Sequence, residues 1–196
     1  MLIRRLEPRD RGSIAGILTS DETFAAEEVA VALELVDSAI AKPDGDYEAL
    51  VAEEEEGMGV IGYVCYGRTP MTTATYDLYW LATHRRARGQ GVGSKLVVAM
   101  EEELGRRGAV TVRVETSLME AYGAARSFYA RARYLEAGRI SDFYAPGDDL
   151  IVLAKRLSVL AREDAATSGG GAPSSVIPPR DVAGGAALAG RDCARS

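Results

Sequence analysis

Apolar residues recur along this chain in two periods, and the period changes several times. Ile14, Ile17 and Leu18, then Val29, Leu33, Val36 and Ile40, return every three or four positions, which marks one face of a helix. Pro8-Arg9-Asp10 opens the first of these helices, and the second, running from Phe24 to Lys42, stops at Pro43. Leu96, Val97, Met100 and Leu104 form a third stripe from which Glu101, Glu102 and Glu103 stand apart, and Arg106-Arg107-Gly108 supplies a cationic last turn and a glycine stop. A fourth helix is predicted from Tyr122 to Arg133 through Ala125, Phe128 and Tyr129.

Between the helical stretches the pattern shortens to two. Leu2 to Leu6 reads as a short strand. Tyr47, Ala49 and Val51 alternate with Glu48 and Ala52, and Gly59 to Tyr66 returns after the acidic turn Glu53-Glu54-Glu55-Glu56-Gly57, so a hairpin is predicted there. Residues 67–74, with Pro70 and several threonines, connect to a central strand ending in Leu78-Tyr79-Trp80-Leu81-Ala82-Thr83. Val110, Val112 and Val114 mark a half-buried strand from Ala109 to Ser117, and Leu150 to Leu157 a last one. Ser141 to Asp149 has turn composition. Six strands among four helices predict a mixed α/β sheet flanked by helices.

One stretch carries a chemical signature. The central strand runs into His84-Arg85-Arg86-Ala87-Arg88, then Gly89-Gln90-Gly91-Val92-Gly93-Ser94, then the third helix. The first turn of a helix leaves backbone N–H groups unpaired and carries about half a positive charge, and glycines admit a ligand close to the backbone. A phosphate belongs in such a loop. A nucleotide-binding Walker loop is excluded, because Ser94 precedes Lys95 and Leu96 takes the hydroxyl's place. A dinucleotide fingerprint fits poorly, with Ser94 in the third glycine position and no acidic residue at the ~20-residue offset.

Arg88-Gly89-Gln90-Gly91-Val92-Gly93 fits Arg/Gln-x-x-Gly-x-Gly/Ala without a gap. With the strand before it, the helix after it and Phe128-Tyr129 downstream, residues 1 to 157 resemble the Gcn5-related N-acetyltransferase (GNAT) superfamily. The resemblance implies a splayed, mostly antiparallel sheet of six to seven strands with about four helices. It implies acetyl-coenzyme A as co-substrate, held by Leu81, Ala82, Thr83, Arg88, Gly89, Gln90, Gly91, Val92, Gly93 and Ser94, with no metal. Two departures stand out: Tyr122 occupies a place where asparagine is common, and Arg133-Tyr134 replaces Gly-Phe.

Acetyl transfer from a thioester to an amine needs a neutral amine, a polarised carbonyl and a protonated leaving thiolate. The resemblance assigns the carbonyl to the N–H groups of Leu81 and Thr83, provided that a bulge frees them from the ladder. It assigns the thiolate to Tyr129 and the amine's proton to Asp77, which a period of two places on the face of Leu81; Glu115 is the rival base. By the same resemblance Asp21, Glu22, Phe24, Glu27 and Glu28 border the acceptor pocket, although first-turn carboxylates also serve simply to start helices. The acceptor is expected to be a small primary amine. A peptide or protein amine is the alternative, and a catalytically silent acyl-coenzyme A sensor is the alternative of another class.

Composition narrows this further. The 196 residues carry 23 Lys and Arg against 29 Asp and Glu, a net charge of −6, which disfavours nucleic acid as partner. Glu22, Glu27, Asp77, Asp142, Asp148 and Asp149 near the expected pocket favour a cationic acceptor. Cys65, Cys193 and the single His84 make neither a disulfide framework nor a metal cluster. No run reaches the ~18 apolar residues of a membrane helix and no secretory leader is visible, so a cytoplasmic protein is expected, with a homodimer left open. After Ala161 the composition turns to Ser168-Gly169-Gly170-Gly171-Ala172-Pro173, which predicts a domain over residues 1–160 and a disordered tail over 161–196.

Overall fold

The computed structural model describes residues 1–21, 23–55 and 59–157. Glu22, the tip of the acidic turn and everything after Leu157, including Cys193 and the expected domain boundary, lie outside the described residues. Seven strands, β1 (Leu2–Arg5), β2 (Glu48–Glu53), β3 (Val60–Arg68), β4 (Thr75–Thr83), β5 (Thr111–Ser117), β6 (Leu135–Ala145) and β7 (Asp148–Arg156), form one sheet in the order β1-β2-β3-β4-β5-β7-β6. Every neighbouring pair is antiparallel except β4 and β5. Among the described residues four helices, α1 (Arg11–Thr19), α2 (Ala26–Ala41), α3 (Val92–Arg106) and α4 (Gly123–Arg131), accompany the sheet.

The helices cover both faces of the sheet. Ile14, Ile17 and Val36 of α1 and α2 pack on Val51, Tyr63, Cys65 and Trp80. On the other face Leu96, Val97, Met100 and Leu104 of α3, with Tyr129 of α4, pack on Leu50, Val64, Leu78 and Val112. Burying such a side chain stabilises by roughly 1.5–3 kcal/mol, so each stripe read from the sequence is strong enough to dock its helix. Gly62 lets α3 descend onto β3, since a Cβ there would meet Val92 Cγ1 at 3.0 Å and Leu96 Cδ1 at 3.2 Å. Double coverage also corrects one expectation: β2 is buried at every position rather than alternately.

The largest departure from the sequence reading is β6. Residues 141–145, read as part of a turn, belong to an eleven-residue edge strand whose Leu135 is 74% exposed and whose Ile140 and Phe143 are each 51% exposed. A strand with no helix packed over it has no apolar alternation to betray it. Helix bounds moved by small amounts for local reasons. The second helix begins at Ala26, where the Glu28 side chain accepts the Ala25 N–H at 2.7 Å, and a short 3-10 turn at Glu120–Tyr122 precedes α4.

Two irregularities in β4 shape the molecule. Tyr66 pairs with Leu78 and Cys65 with Trp80, so Tyr79 is an extra residue, a β-bulge. Pairing with β5 ends at Asp77 opposite Arg113, although β4 continues to Thr83 and β5 to Ser117. The two parallel strands therefore part, and a cavity opens between them.

Candidate active site

The cavity holds about 550 Å³ and is walled by Tyr79 to Thr83 of β4, Val114 to Thr116 of β5, the start of α3, and Tyr122, Phe128 and Tyr129 before and within α4. Backbone direction on its β4 wall follows from one hydrogen bond. His84 N donates to Ile61 O at 2.8 Å, and donors alternate sides along an extended strand. The N–H groups of Leu81 and Thr83 therefore point away from β3, toward the gap left by the parted strands. The freeing that sequence reasoning required of a bulge comes here from the loss of the β5 partner.

Beside that wall, Gly89 (φ +75°) and Gly91 (φ +77°) adopt the left-handed conformation, and Gly91 is the N-cap immediately before α3. A side chain at either position strains the backbone by about 1–2 kcal/mol, and a β-branched one by more. Lys95 N is the first amide taken up by the helix, donating to Gly91 O at 3.0 Å. The N–H groups of Val92, Gly93 and Ser94 thus precede any intrahelical acceptor, and Gly89, Gly91, Val92, Gly93 and Ser94 all line the cavity. Gln90 does not; its side chain donates to Arg86 O at 2.8 Å and braces the loop. His84 also braces it, with Nδ1 accepting from Arg86 N at 3.2 Å. Arg88 lines the cavity with its guanidinium on the Asp21 carboxylate.

Tyr129 is 6% exposed and lines the same cavity, its ring packed edge-on to Phe128 at 5.2 Å and to Tyr134 at 5.5 Å. Burial pushes its phenol above the ordinary value, so the hydroxyl keeps its proton throughout the working pH range.

Asp77 stands elsewhere. Tyr76 and Leu78 face α3, as does Leu81, while Trp80 and Ala82 face α1 and α2. The bulge at Tyr79 inverts the alternation between residues 77 and 81 and places them on opposite faces, correcting the reading by a period of two. Asp77 is 6% exposed and does not line the cavity; its Oδ1 accepts from Arg113 Nε at 2.6 Å and its Oδ2 from Thr69 Oγ1 at 2.9 Å. On the β5 side of the wall stands the carboxylate of Glu115, whose Oε1 lies 3.1 Å from Nη1 of the same Arg113.

The other acidic candidates divide. Asp21 and Phe24 line the cavity, whereas Glu27 is exposed to solvent. Glu28, 3% exposed, receives the Tyr122 hydroxyl at 2.7 Å and so ties α2 to the turn before α4. Asp142 and Asp149 hold the β6–β7 hairpin through Gly147 N and Asp142 N, and Asp148 accepts from Ser117 Oγ at 2.5 Å. The phenol of Tyr144 is pushed up to about 12, chiefly by burial, with the charges of Glu115, Asp148 and Glu28 acting in the same direction. Sequence reasoning missed Trp80 as a wall residue, and Arg133 turns out to hold φ +67° at the end of α4, the conformation in which glycine is unstrained.

A strand, a glycine loop and a helix N-terminus thus meet at the cavity between the parted parallel strands. A GNAT acetyltransferase domain model matches residues 45–133. A GNAT-family protein from Desulfovibrio desulfuricans is 32% identical over 80% of this chain and 99% of its own, with a TM-score of 0.76. An aminoglycoside 6'-N-acetyltransferase complexed with coenzyme A (17% identity, 84% and 100% coverage, TM-score 0.62) and the ribosomal-protein-S18-alanine N-acetyltransferase of Escherichia coli (20%, 84% and 99%, TM-score 0.63) share the fold. No protein of curated function matches the sequence. The chain belongs to the GNAT family and is an N-acetyltransferase. Among the described residues no helix is long and apolar enough to cross a membrane.

Proposed function

We propose that the protein transfers the acetyl group of acetyl-coenzyme A to the primary amine of a small cationic molecule, by direct attack of the amine on the thioester. The observation that carries this reading is the convergence on one cavity of the outward N–H groups of Leu81 and Thr83, the open first turn of α3, the Tyr129 hydroxyl and the Glu115 carboxylate. Acetyl-coenzyme A supplies the activated acetyl thioester. The residues present fit it: Gly89, Gly91, Val92, Gly93 and Ser94 offer backbone to a pyrophosphate, Arg88 offers a cation, and Leu81 to Thr83 offer donors in the gap between strands.

The division of labour follows from geometry. Leu81 and Thr83 N–H groups stabilise negative charge developing on the carbonyl oxygen. The Tyr129 hydroxyl donates to the departing sulfur. Glu115 accepts the amine's proton, directly or through water, while Arg113 orients it and shields it from Asp77. Asp77 is then a positioning residue for Arg113. Asp21 and Glu115 in the wall attract cationic acceptors and repel anionic ones.

The test is a panel of amines offered with acetyl-coenzyme A, reading free thiol. Thiol release with polyamines or basic amino compounds, falling as salt rises, is expected. Preference for an acidic amine overturns the charge assignment; release only with peptides moves the acceptor to a polypeptide; binding without turnover on any amine makes the protein a sensor.

A further inference from the structure

We propose that Asp21 sets how tightly the glycine loop holds its pyrophosphate ligand, by competing with that ligand for Arg88. The inference rests on the reading of the loop given above. Arg88 opens the loop, and its Nη2 lies on Oδ2 of Asp21, a residue 67 positions away in the connection between α1 and α2. Both side chains line the cavity.

The two partners are unequal. The Asp21 side chain is 12% exposed, and its other oxygen accepts the Thr23 N–H at 3.1 Å, so the carboxylate is held in place. The Arg88 side chain is 46% exposed on a long flexible stem and can turn. A pyrophosphate settling on the first turn of α3 meets a cation already engaged. If Arg88 turns to the phosphate, Asp21 is left as an uncompensated carboxylate close to an anion; if Arg88 stays, the phosphate forgoes it. Either way Asp21 lowers the affinity.

This arrangement has a use in turnover. Acetyl-coenzyme A and the product coenzyme A carry the same pyrophosphate, so a carboxylate that reclaims Arg88 hastens release of the product as well as of the substrate. Acetyl-pantetheine, which has the thioester and the arm but no pyrophosphate, does not engage Arg88 and is indifferent to Asp21.

The experiment is a calorimetric titration of coenzyme A and of acetyl-pantetheine into the wild type, Asp21→Asn, Arg88→Ala and the double variant. Asparagine retains an oxygen for Thr23 N, so the local turn survives. Asp21→Asn is expected to tighten coenzyme A about two- to fivefold, the range of an exposed ion pair, without changing acetyl-pantetheine. In the Arg88→Ala background the same substitution is expected to do less. Unchanged or weaker coenzyme A binding in Asp21→Asn overturns the inference, as does equal tightening of both ligands or equal tightening in both backgrounds. Failure of the wild type to bind coenzyme A at all overturns the reading of the loop, which separates the two.

Discussion

The two halves of the cavity are built from different material. Under α3, the groups that face the cavity are main-chain N–H groups of a glycine loop and a strand end, held in place by Gly89 and Gly91 in left-handed conformations. Under α2 and beside β5, they are side chains, with Glu115 brought in by β5, Asp21 and Phe24 by the connection between α1 and α2, and Tyr122 by the turn before α4. A backbone site depends on conformation, and conformation at glycines is written locally in the sequence. A side-chain site depends on which face a residue occupies after bulges and strand ends have been settled, and that is decided by long-range contacts.

Substitutions that leave shape intact sharpen this contrast. Tyr129→Phe removes only a hydroxyl and is expected to lower kcat by ~10²–10⁴-fold, the usual contribution of a general acid, with acetyl-coenzyme A affinity nearly unchanged by calorimetry. Loss of affinity instead would make Tyr129 a packing residue between Phe128 and Tyr134. Glu115→Gln is expected to lower kcat by about 10²-fold, the lower end of the same range. Its defect should shrink as pH rises, because the acceptor amine, with a free pKa near that of lysine, ~10.4, then loses its proton without help. A defect of constant size from pH 7 to pH 10 would assign Glu115 to binding.

Asp77→Asn separates position from chemistry. It leaves Arg113 without its buried partner and is expected to cost about 1–3 kcal/mol of stability, read as a fall in melting temperature, while kcat at saturating substrate falls less than in Glu115→Gln. A pH-dependent loss of turnover larger than that of Glu115→Gln would return the base to Asp77. The smallest effect is expected at Arg133, which does not line the cavity. Arg133→Gly relieves a left-handed backbone (φ +67°) and should raise stability by about 0.5–1 kcal/mol, with activity unchanged. A destabilised variant would show that the arginine side chain earns its place there.

Much of this molecule was legible in its sequence, for identifiable reasons. The stripes of α1, α2 and α3 and the alternation of β5 each bury a face against the sheet, so selection for packing leaves a periodic trace. The loop from Arg88 to Ser94 was legible because left-handed positions and close backbone approach call for glycine at set spacings. Asp77 was misplaced because one extra residue at Tyr79 inverts every face beyond it, and nothing in Leu78-Tyr79-Trp80-Leu81 distinguishes a bulged strand from a regular one. β6 escaped because an exposed edge has no buried face to encode. Glu115 was visible as a carboxylate on a strand, but its prominence in the wall follows from the parting of β4 and β5, a property of two segments more than thirty residues apart.

The central claim is that main-chain groups at the start of α3 hold the acetyl donor. It is tested most directly by titrating acetyl-coenzyme A into Gly91→Val beside the wild type, with circular dichroism to show that both are folded. Valine cannot comfortably hold φ +77° at the N-cap of α3, so the loop must rearrange and its N–H groups lose their common aim. The account predicts saturable heat with the wild type and none with the folded variant. Equal affinity in the two proteins would contradict it and place the donor elsewhere in the cavity.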